Sequence, residues 1–479
     1  QTSWSVSSRF SSKAVMARAG CSPFSGAVAA SRAFRAGSLS LPDTSHSTVR
    51  LLPIAAAVRL SRSLPVVAGR LAADGGQLVF NYGQSYLARA DAIALYEPEL
   101  PLKAGALPLL PGLSMPGCLR DAAPDAWGRR VIINRRMGLK GAEADTAQLD
   151  ELTYLLESGS DRVGALDFQR SPNDYVPRGD GAATLDELLA SADRVEQGIP
   201  LSPELDQALL HGTSIGGARP KALIDSGERK CIAKFSSTGD LYNVVKAEFV
   251  AMRLAAAAGL DVAPVQLARA AGRDVLLIER FDRVPAADGW QRRAMVSALT
   301  LFGLDEMMAR YASYQELAEI VRHRFRRPAD TLRELFGRLV FNVLCGNTDD
   351  HARNHAAFWD GAELELTPAY DVCPQARSGN EASQAMLIAG EDRRSRIATC
   401  LEAAPDFLLT RQEAIAIVEA QLHSLDDHWP DASDEAGLTA TDRALLWGRQ
   451  FLNPYAFEGL GGDAAGLATL AAQLRGPGH

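Results

Sequence analysis

Hydrophobic spacing divides the chain into stretches of different period. From Val58 to Gly83 short apolar runs alternate with polar residues and break at Asp74-Gly75-Gly76, which predicts small antiparallel strands and a hairpin. The Pro- and Gly-rich LPLKAGALPLLPGLSMPG excludes a long helix after it. PDAWGRRVIINRRMG reads as a helix opened by Pro124 or Asp125 and closed by Gly138, Leu149–Glu157 as a second helix, and VGALDF as a strand. Between 205 and 290 strand signals dominate: KALIDSG (221–227), KCIAKFSS (230–237), VQLARA (265–270) and RDVLLIERFDR (273–283). One helix interrupts them, VVKAEFVAMRLAAAAG, with Val245, Phe249 and Met252 on its apolar side and Gly259 as its C′ residue. After about 290 the period lengthens. YQELAEIVRHRF, ADTLRELFGRLVFNVLCG, RQEAIAIVEAQL and TDRALLWGRQFL are helical, and Leu332, Leu335, Phe336, Leu339, Val340, Val343 and Leu344 form one continuous stripe.

These patterns predict an α+β chain in which a small α/β module (51–165) precedes a β-rich lobe (166–284) and an all-helical lobe (285–479). At 479 residues a large core can be buried, and the 47% apolar and 23% charged content is that of an ordinary soluble protein. A net charge of −8 argues against a free-standing nucleic-acid binder. The six scattered cysteines form no CxxC pair and read as free thiols in a reducing cytoplasm, and the absence of an 18-residue apolar run predicts no membrane helix. Residues 1–50 hold thirteen Ser and one acid, Asp43, the composition of a transit peptide. The reading preferred here is an added disordered leader, with Met16 a truer beginning.

Candidate chemistry concentrates in CGNTDDHARN (345–354). Asp349 and Asn354 are spaced D-x-x-x-x-N at the end of an apolar helix, the spacing of a protein-kinase catalytic loop. There the Asp accepts the proton of the attacking hydroxyl and the Asn holds Mg2+. ELELTPAYDV follows as a strand ending at Asp371, a second carboxylate at a hairpin tip, and Mg2+ takes one or two such oxygens plus phosphate and water. The competing readings are a solvated helix end for Asp349, a turn or core histidine for His351, and a transition-metal hydrolase using Asp349, His351 and Asp371. No HxxxH or further His cluster supports the last. Lys234, in an apolar strand run, needs a partner, and Glu248 on the following helix is the natural one; otherwise Lys234 sits on an edge strand with its head in water. HGTSIGGARPKALI offers Gly212, Gly216 and Gly217 for turning backbone N–H groups toward an anion, with Arg219 and Lys221 beside them. Ala218-Arg219 stands where a Walker A motif needs Lys-Ser/Thr, which excludes a P-loop NTPase and leaves a tight hairpin as the alternative. In LLIERFDR the backbone of Glu279 and Phe281 could pair with adenine and Asp282 could reach a ribose hydroxyl; the alternative is a charge cluster of Arg280, Asp282 and Arg283.

Taken in order, GTSIGGARPKALI, IAKF, KAEFVAMRLAAAAGLDVAPVQL, LLIERFDR, VFNVLCGNTDDHARN and LTPAYDVCP resemble the HipA family, the serine/threonine kinase toxins of bacterial type II toxin–antitoxin systems. PDAWGRR and VGALDF resemble that family's amino-terminal module, and the likeness covers about 55 to 430. It implies a two-lobed protein-kinase-like fold and ATP–Mg2+ phosphoryl transfer to a protein hydroxyl. By position it makes Asp349 the catalytic base, Asn354 and Asp371 the Mg2+ ligands and Lys234 a phosphate holder. His351, Glu279, Phe281 and Asp282 would lie against the nucleotide, as would Gly216, Gly217 and Lys221 of the glycine loop. Ser214 matches the family's autophosphorylation site, in a loop whose ejection shuts the enzyme off. The resemblance further implies a small helix-turn-helix, HipB-like antitoxin, DNA contact only through it, a cytoplasmic location, no membrane, and a protein target such as an aminoacyl-tRNA synthetase. Two other classes stay open: a catalytically idle regulator that binds the antitoxin on operator DNA, and a small-molecule kinase. The serine-rich leader and Arg219-Pro220 depart from the family pattern.

Overall fold

The computed structural model describes residues 65–137, 149–179, 183–197, 199, 219–226, 228–236, 240, 242–287, 289–377 and 379–476. All of them belong to the unit Thr48–His479. The leader 1–50, Gly138, and Gly212, Ser214, Gly216 and Gly217 of the glycine loop lie outside the described residues.

The chain opens with β1 (Gly69–Asp74) and β2 (Gln77–Tyr82), paired antiparallel from Gly69↔Tyr82 to Asp74↔Gln77, with β3 (Ala106–Leu107) on the other side of β2. Gly75 and Gly76 close the hairpin at φ +55° and +86°, the left-handed backbone that glycine reaches without a Cβ clash. The helix Ala126–Met137 follows, and then Glu151–Glu157, whose first turn is capped by the Asp150 carboxylate accepting from Thr153 N–H.

The β-rich lobe is one antiparallel sheet built from β4 (Lys221–Asp225), β5 (Lys230–Phe235), β6 (Val265–Ala270) and β7 (Arg273–Glu279), in the order β4-β5-β7-β6. Alternation decides what each face meets. Ala222, Ala233, Phe235 and Val275 point to a core with Trp127, Val131, Leu188 and Leu189 from the helices Ala126–Met137 and Leu185–Gln197. Leu276 and Ile278 point the other way, toward the helix Val244–Ala257 and the main core. The helix Ala126–Met137 of the amino-terminal module and the helix Leu185–Gln197 together cover one face of the sheet, and Trp127 donates its indole N–H to the Lys221 carbonyl on the edge strand at 3.2 Å.

The following lobe is built on Pro328–Cys345, with Tyr314–Arg324, Ile397–Ala403, Arg411–Glu435, Ala440–Leu446 and Ala465–Leu474 around it. Every residue of the predicted stripe from Leu332 to Leu344 is buried. Pro328 occupies the first turn, where its missing N–H costs nothing, and Gly346 ends the helix at φ +74°. A Cβ on Gly346 would stand 2.7 Å from the Gln450 carbonyl oxygen, so only glycine fits where the chain turns into the TDDHARN segment.

Three local expectations are corrected, and one helix is added. VGALDF is a turn, not a strand: Gly164 is at φ +73°, and the buried Asp167 carboxylate draws the chain around itself by accepting from Phe168 N–H (2.7 Å), Gln169 (2.8 Å) and Arg178 (2.9 Å). The carboxy-terminal lobe is not all helix. β8 (Arg283–Ala286) and β9 (Gly289–Arg292) form a hairpin, and β10 (Met295–Ser297), β11 (Ala356–Trp359) and β12 (Leu364–Leu366) form a sheet in that order. ELELTPAYDV carries only the short β12, and Asp371 is not at a hairpin tip: the chain runs past β12 to a bridge between Ala369 and Val262 before reaching it. The helix Leu185–Gln197 carries the apolar residues Leu188, Leu189, Ala192 and Val195 at helical spacing, a signal present in the sequence and not used.

Candidate active site

Lys234 and Lys221 are register partners on β5 and β4, so both side chains project from the same face of the sheet. That face also carries Ile232, and it fronts a cavity of about 540 Å3. Lys234 cannot be buried there without a counter-charge. The helix Val244–Ala257 supplies one: Glu248, 3% exposed, accepts from Lys234 Nζ at 2.6 Å. Asp371 supplies a second, its Oδ1 also accepting from Lys234 Nζ. Burial works against the Lys234 ammonium, but Asp371 and Glu248 outweigh it and hold its pKa above the usual lysine value. Burial likewise works against the Asp371 carboxylate, and Lys234, Lys221 and His351 reverse the effect, holding it well below the usual carboxylate range. For Glu248 burial prevails, with Asp371 adding like charge, and the carboxyl is pushed up.

The TDDHARN segment brings the remaining groups. Asp350 turns inward, with Oδ1 2.9 Å from His355 Nε2 and Oδ2 accepting from the Tyr314 hydroxyl. Its neighbour Asp349 is exposed at the surface. One anchored carboxylate thus fixes the loop that carries the free one. Asn354 is held by its own N–H to the His351 carbonyl (2.8 Å) and by its amide to the Asp349 carbonyl (3.2 Å). Partial desolvation, with Asp371 and Asp350 adding like charge, pushes the Asp349 carboxyl above its usual value against the pull of His351. Asp371 has φ +60°, the left-handed region that Asp tolerates better than most side chains.

Of the predicted residues, Lys221, Lys234, Glu279, Phe281, Asp282, His351, Asn354 and Asp371 all line this one cavity, and Asp349 lies beside it on the same loop as Asn354. Ser214, Gly216 and Gly217 lie outside the described residues. At the strand exit, the Glu279 N–H donates to the Pro264 carbonyl (2.9 Å). The Phe281 N–H has no backbone partner among the described residues, and its ring lies against Tyr370 and Phe358 at 5.6 and 5.9 Å. Asp282 lines the cavity but is committed: it accepts from Arg280 (2.9 Å at each oxygen), Arg283 (3.0 Å) and Gly164 N–H (2.7 Å). Both oxygens are occupied, so the charge cluster weighed against the ribose contact is what the geometry displays.

Sequence reasoning missed the contribution of the amino-terminal module. Asp121, Asp125, Arg129 and Glu151 line the same cavity. Asp121 accepts from both the N–H and the hydroxyl of Ser297 at 2.7 Å, and Arg129 makes a two-pronged pair with Glu151 at 2.6 and 2.7 Å. No local motif marks these residues; only the helix start at Pro124-Asp125 hinted at a special position. Asp371 and Asn354 offer Mg2+ a carboxylate and an amide oxygen facing one cavity, a hard-oxygen donor set that fits the ion. Among the described residues no three His, Cys, Asp or Glu side chains converge as a metal-binding group, and no helix is long and apolar enough to cross a membrane. The five described cysteines are free.

The chain is similar to known proteins over two regions. Residues 61–169 match the model of the HipA N-terminal domain and residues 213–429 that of the HipA-like C-terminal domain. "Putative kinase Y4mE" of Sinorhizobium fredii is 30% identical over 328 residues, which span 62% of this chain and 72% of that one. The serine/threonine-protein kinase toxin HipA of Shewanella oneidensis is 28% identical over 183 residues, 33% of this chain and 42% of the relative. Among solved structures, HipA of Shewanella oneidensis MR-1 in complex with HipB and operator DNA aligns with a TM-score of 0.59 at 20% identity, covering 89% of this chain and 96% of that chain, a likeness of fold. The two matched domains, in order and with the two-lobed α+β fold around one cavity, place the chain in the HipA family of kinase toxins.

Proposed function

We propose that this protein is an ATP–Mg2+-dependent serine/threonine protein kinase, the toxin of a type II toxin–antitoxin pair. The observation that carries the reading is the convergence of Lys234, Asn354, His351 and Asp371 on one cavity, with Asp349 on the adjoining loop. Adenine packs against Phe281 and pairs with the Glu279 carbonyl and the Phe281 N–H. Lys234, oriented by Glu248, holds the phosphates, helped by Lys221, His351, and the backbone at Gly216 and Gly217. Asp371 and Asn354 would hold Mg2+, which would neutralise phosphate charge. Asp349, free at the surface, orients the acceptor hydroxyl and takes its proton. Phosphoryl transfer asks for positioning and charge stabilisation more than covalent help.

Ser214, seven residues before the cavity-lining Lys221, is the proposed autophosphorylation site. The partner is a small HipB-like helix-turn-helix antitoxin, a reading supported by the HipB-bound structural relative, with DNA reached only through it. The protein target is a translation factor of the aminoacyl-tRNA synthetase kind, and the site of action is the cytoplasm. Incubation with labelled ATP–Mg2+ tests the activity, wild type beside Asp349→Ala, on self and on lysate proteins. Label confined to the wild type is expected. Equal label in both overturns the kinase reading, and an absence of Mg2+-dependent nucleotide binding by calorimetry points instead to the idle regulator.

A further inference from the structure

Lys221 is 3% exposed and lines the cavity, yet its ammonium has no hydrogen bond or ion pair among the described residues. It also stands directly across from a second ammonium, that of Lys234. The carboxylates Glu248 and Asp371 are both taken by Lys234. The remaining acidic group acting on Lys221 is Asp125, which lines the same cavity and has a buried Oδ1 with no hydrogen-bond partner. The two residues are mechanically tied. Asp125 immediately precedes the helix Ala126–Met137, and Trp127 of that helix donates its indole N–H to the Lys221 carbonyl. The unpartnered Asp125 oxygen, from the amino-terminal module, and the Lys221 side chain, from the sheet edge, thus line one cavity, with no ion pair between them in this structure.

We propose that Asp125 and Lys221 form a second lysine–carboxylate unit of the nucleotide site, in which Asp125 positions the Lys221 ammonium for phosphate as Glu248 positions Lys234. The amino-terminal module then completes the nucleotide site. This rests on the kinase reading above and extends it to a residue outside the kinase lobes. The physics is that of an ion in poor solvent: a desolvated ammonium beside another ammonium is tolerated only with counter-charge on more than one side. Asp125 supplies one side and the phosphates the other. Burial, opposed by Asp125, lowers the Lys221 pKa, and burial, opposed by Lys221 and Arg353, pushes the Asp125 carboxyl up to about 6, so neither charge is well served before a ligand arrives. Asp125 is thereby a positioning residue.

The test is calorimetric titration of the full chain with the Mg2+ complex of a non-hydrolysable ATP analogue, in wild type, Asp125→Asn, Asp125→Glu, Lys221→Met and the Asp125→Asn/Lys221→Met double variant. Asp125→Asn should weaken binding about tenfold or more, as loss of a charge-assisted contact does. Asp125→Glu should recover most of that loss, and the double variant should bind no more weakly than Lys221→Met alone. In turnover the KM for ATP should rise more than kcat falls. Asp125→Asn is nearly isosteric and serves, with Asp125→Glu, even where Lys221→Met fails to fold. Wild-type affinity in Asp125→Asn, or losses that multiply in the double variant, overturns the inference while leaving the kinase reading intact. A wild type that binds no nucleotide overturns both.

Discussion

Lys234 stands between Glu248 and Asp371, and elsewhere Arg280, which lines the same cavity, and Arg283 behind it stand among Asp161, Asp282 and backbone carbonyls. The second cluster is saturated. Arg280 donates to Asp282 and to the Arg162 carbonyl (2.6 Å), and Arg283 to Asp161 (2.7 Å) and to the Gly164 carbonyl (2.9 Å). Burial disfavours the Asp282 carboxylate, yet the two guanidiniums outweigh it and depress its pKa. This cluster pins the loop 161–164 of the amino-terminal module to the strand exit at 280–283. In the Lys234 cluster one ammonium holds two carboxylates, and the Asp371 side chain is 38% exposed. Fixed arginines with full hydrogen bonding hold the module in place; a lysine with exchangeable partners is suited to a ligand that comes and goes. Asp349 and Asp350 repeat the contrast in adjacent residues, one free and one locked.

Substitutions can break this division of labour. The largest expected effect is on transfer: Asp349→Ala, Lys234→Met and Asp371→Asn should each lower phosphorylation of self or of a lysate target by about a thousandfold, the scale of losing an acid–base or charge-stabilising group. Asp349→Ala should leave the melting temperature near wild type, because the side chain is exposed. Next comes Arg280→Met, which takes one of the two guanidiniums from the buried Asp282 and from Asp161 and leaves Arg283 to hold both. Denaturant unfolding should show a loss of about 3–5 kcal/mol, and nucleotide affinity per folded molecule should change less than it does in Lys234→Met. Asp350→Asn removes the charge facing His355 and Tyr314 and should cost about 2 kcal/mol of stability. It should also lower transfer, because the loop carrying Asp349 and Asn354 loses its anchor.

A pH series separates the clusters further. Burial pushes the Asp125 carboxyl up to about 6, with Lys221 and Arg353 opposing and Asp371 assisting. The unfolded chain releases this proton near pH 4, so between about pH 4 and 6 the native state binds more protons than the unfolded one. Stability from this group therefore falls as pH rises through that window and stays lower above it. Asp125→Asn should match wild type near pH 4 and exceed it by about 3 kcal/mol at pH 7.5, read from denaturant unfolding against pH. Depressed carboxyls such as Asp282 and Asp350 act with the opposite sign, supplying stability at neutral pH that disappears in acid. Smallest of all is Arg253→Ala. Its pair with Glu435 at 2.9 Å is about half exposed on both sides, and unfolding should shift by less than about 1 kcal/mol.

The sequence by itself determined the elements whose signal is local. The stripe Leu332–Leu344 wrote its helix because period and burial coincide, Gly75-Gly76 wrote a hairpin because only glycine enters that backbone cheaply, and the apolar run around Lys234 demanded a counter-charge that Glu248 supplies. The D-x-x-x-x-N segment was legible for the same reason, since its groups sit on one loop. Tertiary structure alone decided what required distant segments to meet. It made VGALDF a turn through the buried Asp167, ended β12 well before Asp371, and committed Asp282 to arginines and the backbone of the amino-terminal module. It also set Asp125, 96 residues before Lys221, against the same cavity. Pattern along a chain reports which face of an element is apolar; it carries no information about which other element that face, or a stray carboxylate at a helix start, will find.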